Sequence, residues 1–429
     1  MTTPSCSEDL AFRGLIHQVT DEAVLALLDA GSVTVYSGFD PTAASLHVGN
    51  LLQLCTLRRL QHYGNRPIAL AGGGTGLIGD PGGKASERPL LSEALLAENL
   101  EGISEQLSRF IDLKDSGGNG LLLDNAAWLR GQSLLNFLRD IGKHFTVGQM
   151  VAKESVRSRI DRPEQGISYT EFTYMLLQAY DFLHLFQQEG CSLQIGGSDQ
   201  WGNITMGVEL VRKVEDAQVF GLTSPLVTKA DGSKFGKSEE GNERIWLDAT
   251  LTSPYRLYQF FLNTDDASVG SFLRYFTFLS HEEITALDLA TQETPQQREA
   301  QRALAREAVT MIHGPLACER AMQASGALFS TELADLDEDL LMELFAEAPS
   351  VQLPLSSFHE GLGIIDLAVS AGLLGSKGEA RRAVEQGGLS VNNLRVEGID
   401  HLVKTDQLLH GRYLVLRRGR KSVAIVDAR

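Results

Sequence analysis

The chain has 429 residues, 43% of them hydrophobic and 22% charged, with a formal net charge of −17. That length suits two or three domains of about 150 residues, and the balance of apolar and charged residues excludes a wholly disordered or fibrous protein. No run approaches the roughly 18 apolar residues of a membrane-spanning helix, and the opening MTTPSCSEDL has no basic stretch leading into an apolar one, so a cytoplasmic protein with no membrane partner is expected.

Residues 33–50, VTVYSGFDPTAASLHVGN, start as an extended apolar segment at Val33 and Val35, break at Gly38 and Pro41, and turn helical from Leu46 to about Tyr63. PIALAGGGTGLIGDPGG follows, a buried strand from Ile68 to Ala71 opening into a Gly-rich loop. Two strands joined by a helix predict a parallel sheet, whose ligands bind at the carboxyl ends of the strands. Residues 91–112 read as a helix, Gly117 to Gly120 as a loop, and 133–189 as mainly helical with a break near Pro163 to Gly166. SLQIGGSDQWGN (192–203) is a strand, a Gly turn and a helix start; LVTKADGSKFGKSEEGN (226–242) is a polar, Gly-rich surface loop. From Ser253 to about Ser330 the pattern is helical.

Thr331 to Ser350 holds seven acidic residues and no Lys or Arg, which reads as an acidic linker. Beyond it, residues 351–429 carry 11 Lys and Arg against 8 Asp and Glu, a net of +3. A basic tail on an acidic body hints at an anionic partner, although charge alone fits an ordinary surface better. Ile364 to Ala371 reads as a short helix, and Ser376 with Glu379 as the capping box of a second, ended by Gly387 and Gly388. Lys377, Arg381 and Arg382 on that second helix suit contact with a phosphate backbone. The cysteines, Cys6, Cys55, Cys191 and Cys318, form no CxxC pair, which points to reduced structural thiols.

Two short motifs carry chemistry. His47-Val48-Gly49-Asn50 opens a helix after a strand and a turn, where backbone N–H groups favour anions such as phosphate. His47 and Asn50 are three apart and share a face. Lys234-Phe235-Gly236-Lys237-Ser238 places two lysines on a Gly-rich loop that can swing onto a polyphosphate. Each alone also fits a blander role, a capped core helix or a solvated loop.

In this order, 187 residues apart, the two motifs resemble the HIGH and KMSKS signatures of class I aminoacyl-tRNA synthetases. YSGFDPT (36–42), GLIGDP (76–81), YMLLQAYD (174–181) and QIGGSDQWGN (194–203) resemble the tyrosyl-specific segments of the bacterial tyrosyl-tRNA synthetases, so the likeness spans nearly the whole chain. It implies an α/β fold: a Rossmann-like parallel-sheet catalytic domain over 1–225 with a helical insertion at about 130–190. An α-helical anticodon-side domain with the KMSKS-type loop would follow over 226–330, then the 331–350 linker and a small α+β RNA-binding domain over 351–429.

The resemblance also implies the chemistry. The carboxylate of tyrosine attacks the α-phosphate of ATP, expels pyrophosphate, and the tyrosyl group then passes to the 3′ end of tRNA(Tyr). Tyr36 and Asp181 would recognise the phenol O–H, which a pocket with both partners distinguishes from phenylalanine. This discrimination in this enzyme family is itself a standard illustration of the principle. Asp80, Tyr174 and Gln178 would take the ammonium end, and Gln200, also a tyrosine-binding residue, would sit near the adenylate. Gly38, Asp40, Gly197 and Asp199 would line the adenylate site, with Asp199 on the ribose. Thr42 and His47, with Asn50 beside them, would meet the phosphates, and Lys84, Arg88, Lys234 and Lys237 would gather round the leaving pyrophosphate. Mg2+ would arrive with ATP, with no metal held by the protein itself. A homodimer is implied, with the insertion at its interface.

Asn50 stands where the signature has its second His, and Phe235 and Gly236 replace Met and Ser of KMSKS. Asn50 keeps a donor, so activity is expected to persist. Tryptophanyl-tRNA synthetases share the signatures, but indole N–H needs only an acceptor, and Tyr36 beside Asp181 offers more. A cofactor nucleotidyltransferase fits the motif spacing and the tail less well. A retired RNA-binding paralogue would be expected to have lost the phosphate-handling residues.

Overall fold

The computed structural model describes residues 3–80, 91–153, 156–157, 160, 166–228, 244–327, 332–346, 348–419 and 422–429. It divides into two compact units, Met1–Ile312 and His313–Arg429.

The first unit is built on β1 (Gln18–Val19), β2 (Thr34–Phe39), β3 (Arg66–Ala71), β4 (Leu121–Asp124), β5 (Leu193–Gly197) and β6 (Phe220–Ser224). They form one sheet in the order β1-β6-β5-β2-β3-β4. β2 to β6 are parallel, and the short β1 closes one edge antiparallel to β6. β3 and β6 are buried almost without interruption, as strands covered on both faces must be. The chain runs outward from β2 through β3 to β4, returns to β5 on the other side of β2, and runs outward again to β6. That reversal opens a crevice at the carboxyl ends of β2 and β5, where open α/β sheets bind ligands.

The crossover helices are Leu51–His62, Glu93–Phe110, Tyr169–Glu189 and Trp201–Glu215. Ser92 and Ser168 cap two of them by accepting from Leu95 N and Glu171 N. Gly190, at φ 64°, ends the Tyr169–Glu189 helix in the left-handed conformation that favours glycine. Tyr36, Ile68, Leu70, Phe182, Leu183, Met206 and Leu210 share one buried cluster, joining β2 and β3 to the last two crossover helices.

Helices Pro254–Leu262, Asp266–Phe276, His281–Glu293 and Glu299–His313, as far as Ile312, complete this unit. A buried ionic knot ties the end of the Asp266–Phe276 helix to the Leu51–His62 crossover helix. Asp9 Oδ1 accepts from Arg13 Nε at 2.8 Å, and Arg59 Nε lies 3.1 Å from Asp9 Oδ2, close enough for an ion pair but not aligned as a hydrogen bond. Arg59 Nη2 donates to Thr277 O, and Arg13 Nη2 to Leu279 O, each at 2.7 Å. Such carbonyls are what a buried guanidinium needs beyond its carboxylate. Arg59 belongs to the helix that begins beside His47, so the knot anchors that helix from its far end.

The second unit holds β7 (Ser350–Leu353), β8 (Leu362–Gly363), β9 (Leu389–Val391), β10 (Leu394–Arg395), β11 (Leu402–Val403), β12 (Tyr413–Arg418) and β13 (Ser422–Ala428). Five of these form a sheet in the order β10-β9-β12-β13-β7, and β8 pairs with β11. The Ile364–Ser370 and Lys377–Glu385 helices pack into the same core through Ile364, Leu367, Ala380 and Val384. The 331–350 segment, read from sequence as a linker, carries the Glu338–Leu344 helix; Glu338 accepts from Tyr413 Oη at 2.9 Å and Phe345 is buried. The Pro315–Ala327 helix also belongs to this unit. The capping box expected at Ser376 forms only in half. Ser376 Oγ accepts from Glu379 N, but the Glu379 carboxylate is drawn instead to Gly375 N and Arg418.

Candidate active site

At the β2–β5 reversal the structure has a cavity of about 710 Å3. Every described residue assigned from sequence to tyrosine or ATP lines it: Tyr36, Gly38, Asp40, Thr42, His47, Asn50, Asp80, Tyr174, Gln178, Asp181, Gly197, Asp199 and Gln200. Lys84, Arg88, Lys234 and Lys237 lie outside the described residues. Lys377, Arg381 and Arg382 are exposed on one helix of the second unit.

The deep end is built around Asp181. Its Oδ1 accepts from Trp128 Nε1 at 2.7 Å and its Oδ2 from Asn125 Nδ2 at 2.9 Å. Burial, and the charges of Asp40 and Asp124, push its carboxyl up to about 7 although both donors pull the other way. Tyr36 packs edge-on against Phe182 with ring centroids 5.3 Å apart. Burial and the nearby Asp181 raise its phenol well above the usual tyrosine range. Tyr36 Oη is buried with no hydrogen-bond partner among the described residues. A buried hydroxyl left in this way costs about 1–3 kcal/mol unless something arrives to pair with it.

Beside it, four side chains form a polar chain. Gln200 Nε2 donates to Asp80 Oδ2 at 2.9 Å, Gln178 Nε2 approaches Gln200 Oε1 at 3.4 Å, and Asn203 Nδ2 donates to Gln178 Oε1 at 3.0 Å. Gln200 thereby orients the Asp80 carboxylate at the cavity wall. Tyr174 does not face this chain first: its hydroxyl donates to Asp40 Oδ2 at 2.9 Å, while Asp40 Oδ1 accepts from Thr75 Oγ1 at 2.8 Å. Burial and the charges of Asp40 and Asp80 keep the Tyr174 phenol protonated.

The loop that carries Asp80 is held by the end of β4. Asp124 Oδ1 accepts from Gly73 N at 3.0 Å and Asn125 Oδ1 from Gly74 N at 2.7 Å. A Cβ at Gly73 would collide with the Asp124 carboxylate and displace the group that holds the loop. At Gly38, by contrast, nothing lies within 4 Å of where a Cβ would stand, and the backbone faces open cavity.

The outer end is a helix start. His47 Nδ1 accepts from Gly49 N at 3.0 Å, which leaves the ring proton on Nε2. Asn50 Oδ1 accepts from His47 N at 3.1 Å, so Asn50 caps the turn that presents His47. The turn at Asp40, closed by Thr42 N donating to Asp40 O at 2.8 Å, presents Thr42. Among the described residues no group of three or more His, Cys, Asp and Glu could hold a metal ion.

Sequence reasoning passed over Asn125, Trp128, Thr75 and Asn203. Asn203 stood inside the quoted QIGGSDQWGN segment. Asn125 and Trp128 sit directly after a short strand, where a loop at a carboxyl end was the only available signal.

The comparisons with known proteins give the family. Residues 29–330 match the family described as tRNA synthetases class I (W and Y), and residues 341–426 match the SYY-like C-terminal domain of tyrosine–tRNA ligase. The chain is 51% identical to the tyrosine–tRNA ligase of Roseiflexus castenholzii over 98% of each chain. It is 50% identical to that of Bacillus caldotenax, over 97% of this chain and 98% of the other. A C-terminally truncated mitochondrial tyrosyl-tRNA synthetase of Aspergillus nidulans superposes with a TM-score of 0.67 at 33% identity, covering 76% of this chain and 94% of that one. Motifs, fold, cavity and relatives coincide, and the chain belongs to the tyrosine–tRNA ligase family of class I tRNA synthetases.

Proposed function

We propose that the protein joins tyrosine to tRNA(Tyr) in two steps at the β2–β5 cavity. The observation that carries the reading is the deep end of that cavity: the Tyr36 hydroxyl, without a hydrogen-bond partner among the described residues, beside the Asp181 carboxylate, which together can give one hydrogen bond to a phenol and take one from it. Asp80, oriented by Gln200, takes the ammonium, with Gln178 beside it. In the first step a carboxylate oxygen of tyrosine bonds to the α-phosphorus of ATP, and the bond to the β-phosphate oxygen breaks in line to release pyrophosphate. The substrate supplies its own nucleophile, so positioning and charge stabilisation do the work. Thr42 and the Nε2–H of His47 meet the phosphates, and Asn50 sets His47. Asp40, Asp199, Gly38 and Gly197 form the nucleoside wall. Lys84, Arg88, Lys234 and Lys237 supply positive charge for the pyrophosphate.

Mg2+ enters as the counter-ion of the ATP phosphates. Asp40, Asp80 and Asp181 already accept hydrogen bonds from neighbouring side chains, which suits substrate recognition better than a resident metal. In the second step a ribose hydroxyl at the tRNA 3′ end attacks the tyrosyl carbonyl and AMP leaves. Exposed Lys377, Arg381 and Arg382 hold tRNA phosphates in a small RNA-binding domain at about 351–429, separate in role from the Rossmann-like domain (1–225) and the helical domain (226–330). The protein works in the cytoplasm as a homodimer. Leu134, Leu135, Val147 and Tyr169, each at least two-thirds exposed within the 130–190 insertion, give the apolar surface such a dimer would cover.

Incubation with labelled tyrosine, ATP and tRNA tests the whole reading. Tyrosyl-adenylate without tRNA and tyrosyl-tRNA with it are expected; tRNA binding without either product would make the protein an RNA-binding paralogue.

A further inference from the structure

Four carboxylates, Asp40, Asp80, Asp181 and Asp199, line the cavity, and Arg244 is its one Lys or Arg among the described lining residues. A nucleoside triphosphate brings several negative charges, so a cation placed here bears directly on where its phosphates rest. Arg244 is exposed, and its guanidinium carbon lies 5.6 Å from the centroid of the Trp246 ring. No carboxylate among the described residues pairs with it.

Trp246 is not a loose surface ring. Its segment is laced to the start of the phosphate-facing helix: Val48 N donates to Ile245 O at 3.0 Å, Leu247 N to Leu46 O at 2.8 Å, and His47 and Trp246 pair across the two segments. Trp246 N also donates to Thr252 Oγ1 at 3.0 Å. The Trp246 and His47 rings stand 6.1 Å apart. A guanidinium held near such a ring by a cation–π contact still has N–H donors for bidentate contact with phosphate oxygens.

We propose that Arg244 is a further polyphosphate-binding residue, taking β- or γ-phosphate oxygens of ATP beside His47 and then the pyrophosphate that leaves. It rests on the ATP-dependent reading above. It lies ten residues past Lys234 and outside both signature motifs. Its cation–π contact with Trp246 keeps the charge at the cavity before ATP arrives.

The test is tyrosine-dependent ATP–pyrophosphate exchange with Arg244→Gln, Arg244→Lys and Trp246→Leu. Arg244→Gln is expected to raise KM for both ATP and pyrophosphate by about tenfold or more, the scale of a lost charge-assisted pair. KM for tyrosine should stay within about twofold, since the residue is at the outer end. Arg244→Lys should fall between, keeping charge but losing the fork, and Trp246→Leu should weaken ATP through lost placement alone. Tyrosine binding by Arg244→Gln, measured by equilibrium dialysis, checks that the variant is folded. An exchange-active protein in which Arg244→Gln keeps wild-type KM for ATP and pyrophosphate overturns the inference, and leaves Arg244 a packing partner of Trp246. Wild-type protein with no exchange overturns the functional reading, and this inference with it.

Discussion

Trp128 Nε1 donates to Asp181 Oδ1 at 2.7 Å across 53 residues of sequence. With Asn125 on the other oxygen, it fixes the carboxylate that faces Tyr36, and both donors oppose the rise that burial imposes on Asp181. Folding therefore gives Asp181 a carboxyl at about 7 where an exposed one titrates near 4. As pH rises, the unfolded chain releases this proton first, so the cost to folding grows from about pH 4 and is complete near pH 7.

The same titration governs substrate, with the opposite sign. A phenol O–H is best accepted by the ionised carboxylate, so KM for tyrosine should rise as pH falls from 8 to 6, by at most about tenfold per unit. Exchange rates against pH check this. Asp181→Asn should be weaker throughout and flat across that window.

Trp128→Phe removes one donor from the charged form and should move the midpoint of that profile upward, with KM for tyrosine raised several-fold and KM for ATP unchanged. A residue that merely filled space would lower stability without moving the midpoint.

Tyr36→Phe deletes the unpartnered hydroxyl. The free protein should lose no stability, because the hydroxyl pairs with nothing among the described residues. kcat/KM for tyrosine should drop about 3- to 15-fold while that for phenylalanine holds or rises. Parallel exchange assays with the two amino acids measure the ratio.

Asn50→Ala should lose more adenylate-formation rate than Asn50→His. Alanine leaves His47 N without its side-chain acceptor, whereas a histidine ring nitrogen can still accept. Stopped-flow formation of tyrosyl-adenylate compares them, and a harmless alanine would contradict this role for Asn50.

Reversing charge at Arg381 and Arg382 should raise KM for tRNA(Tyr) and reduce its salt dependence, with exchange unaffected. Equal losses in both assays would show a structural role for that helix.

Much of the site was legible because it sits in short segments whose chemistry is local. The SGFDPT turn, the HVGN helix start and the QIGGSDQ turn each combine a strand end, glycines and polar side chains. The strands β4 and β6 were harder to read, since LLLD and FGLTS are short apolar runs with no period to separate strand from helix. Asn125 and Trp128 could not be singled out, because their importance comes from a carboxylate more than 50 residues away. The acidic composition of 331–350 suggested a linker, yet one turn of packing by Phe345 and the Glu338–Tyr413 hydrogen bond suffice to bind its helix to the second unit. Composition reports exposed charge and is blind to a few buried anchors.

The most direct test of the central claim is ATP–pyrophosphate exchange by the purified protein with tyrosine, phenylalanine and tryptophan supplied separately. Exchange with tyrosine, and little with the other two, is the predicted result. Exchange with tryptophan in preference, or none with any of the three from folded protein, would contradict the assignment of the Tyr36–Asp181 pocket to tyrosine.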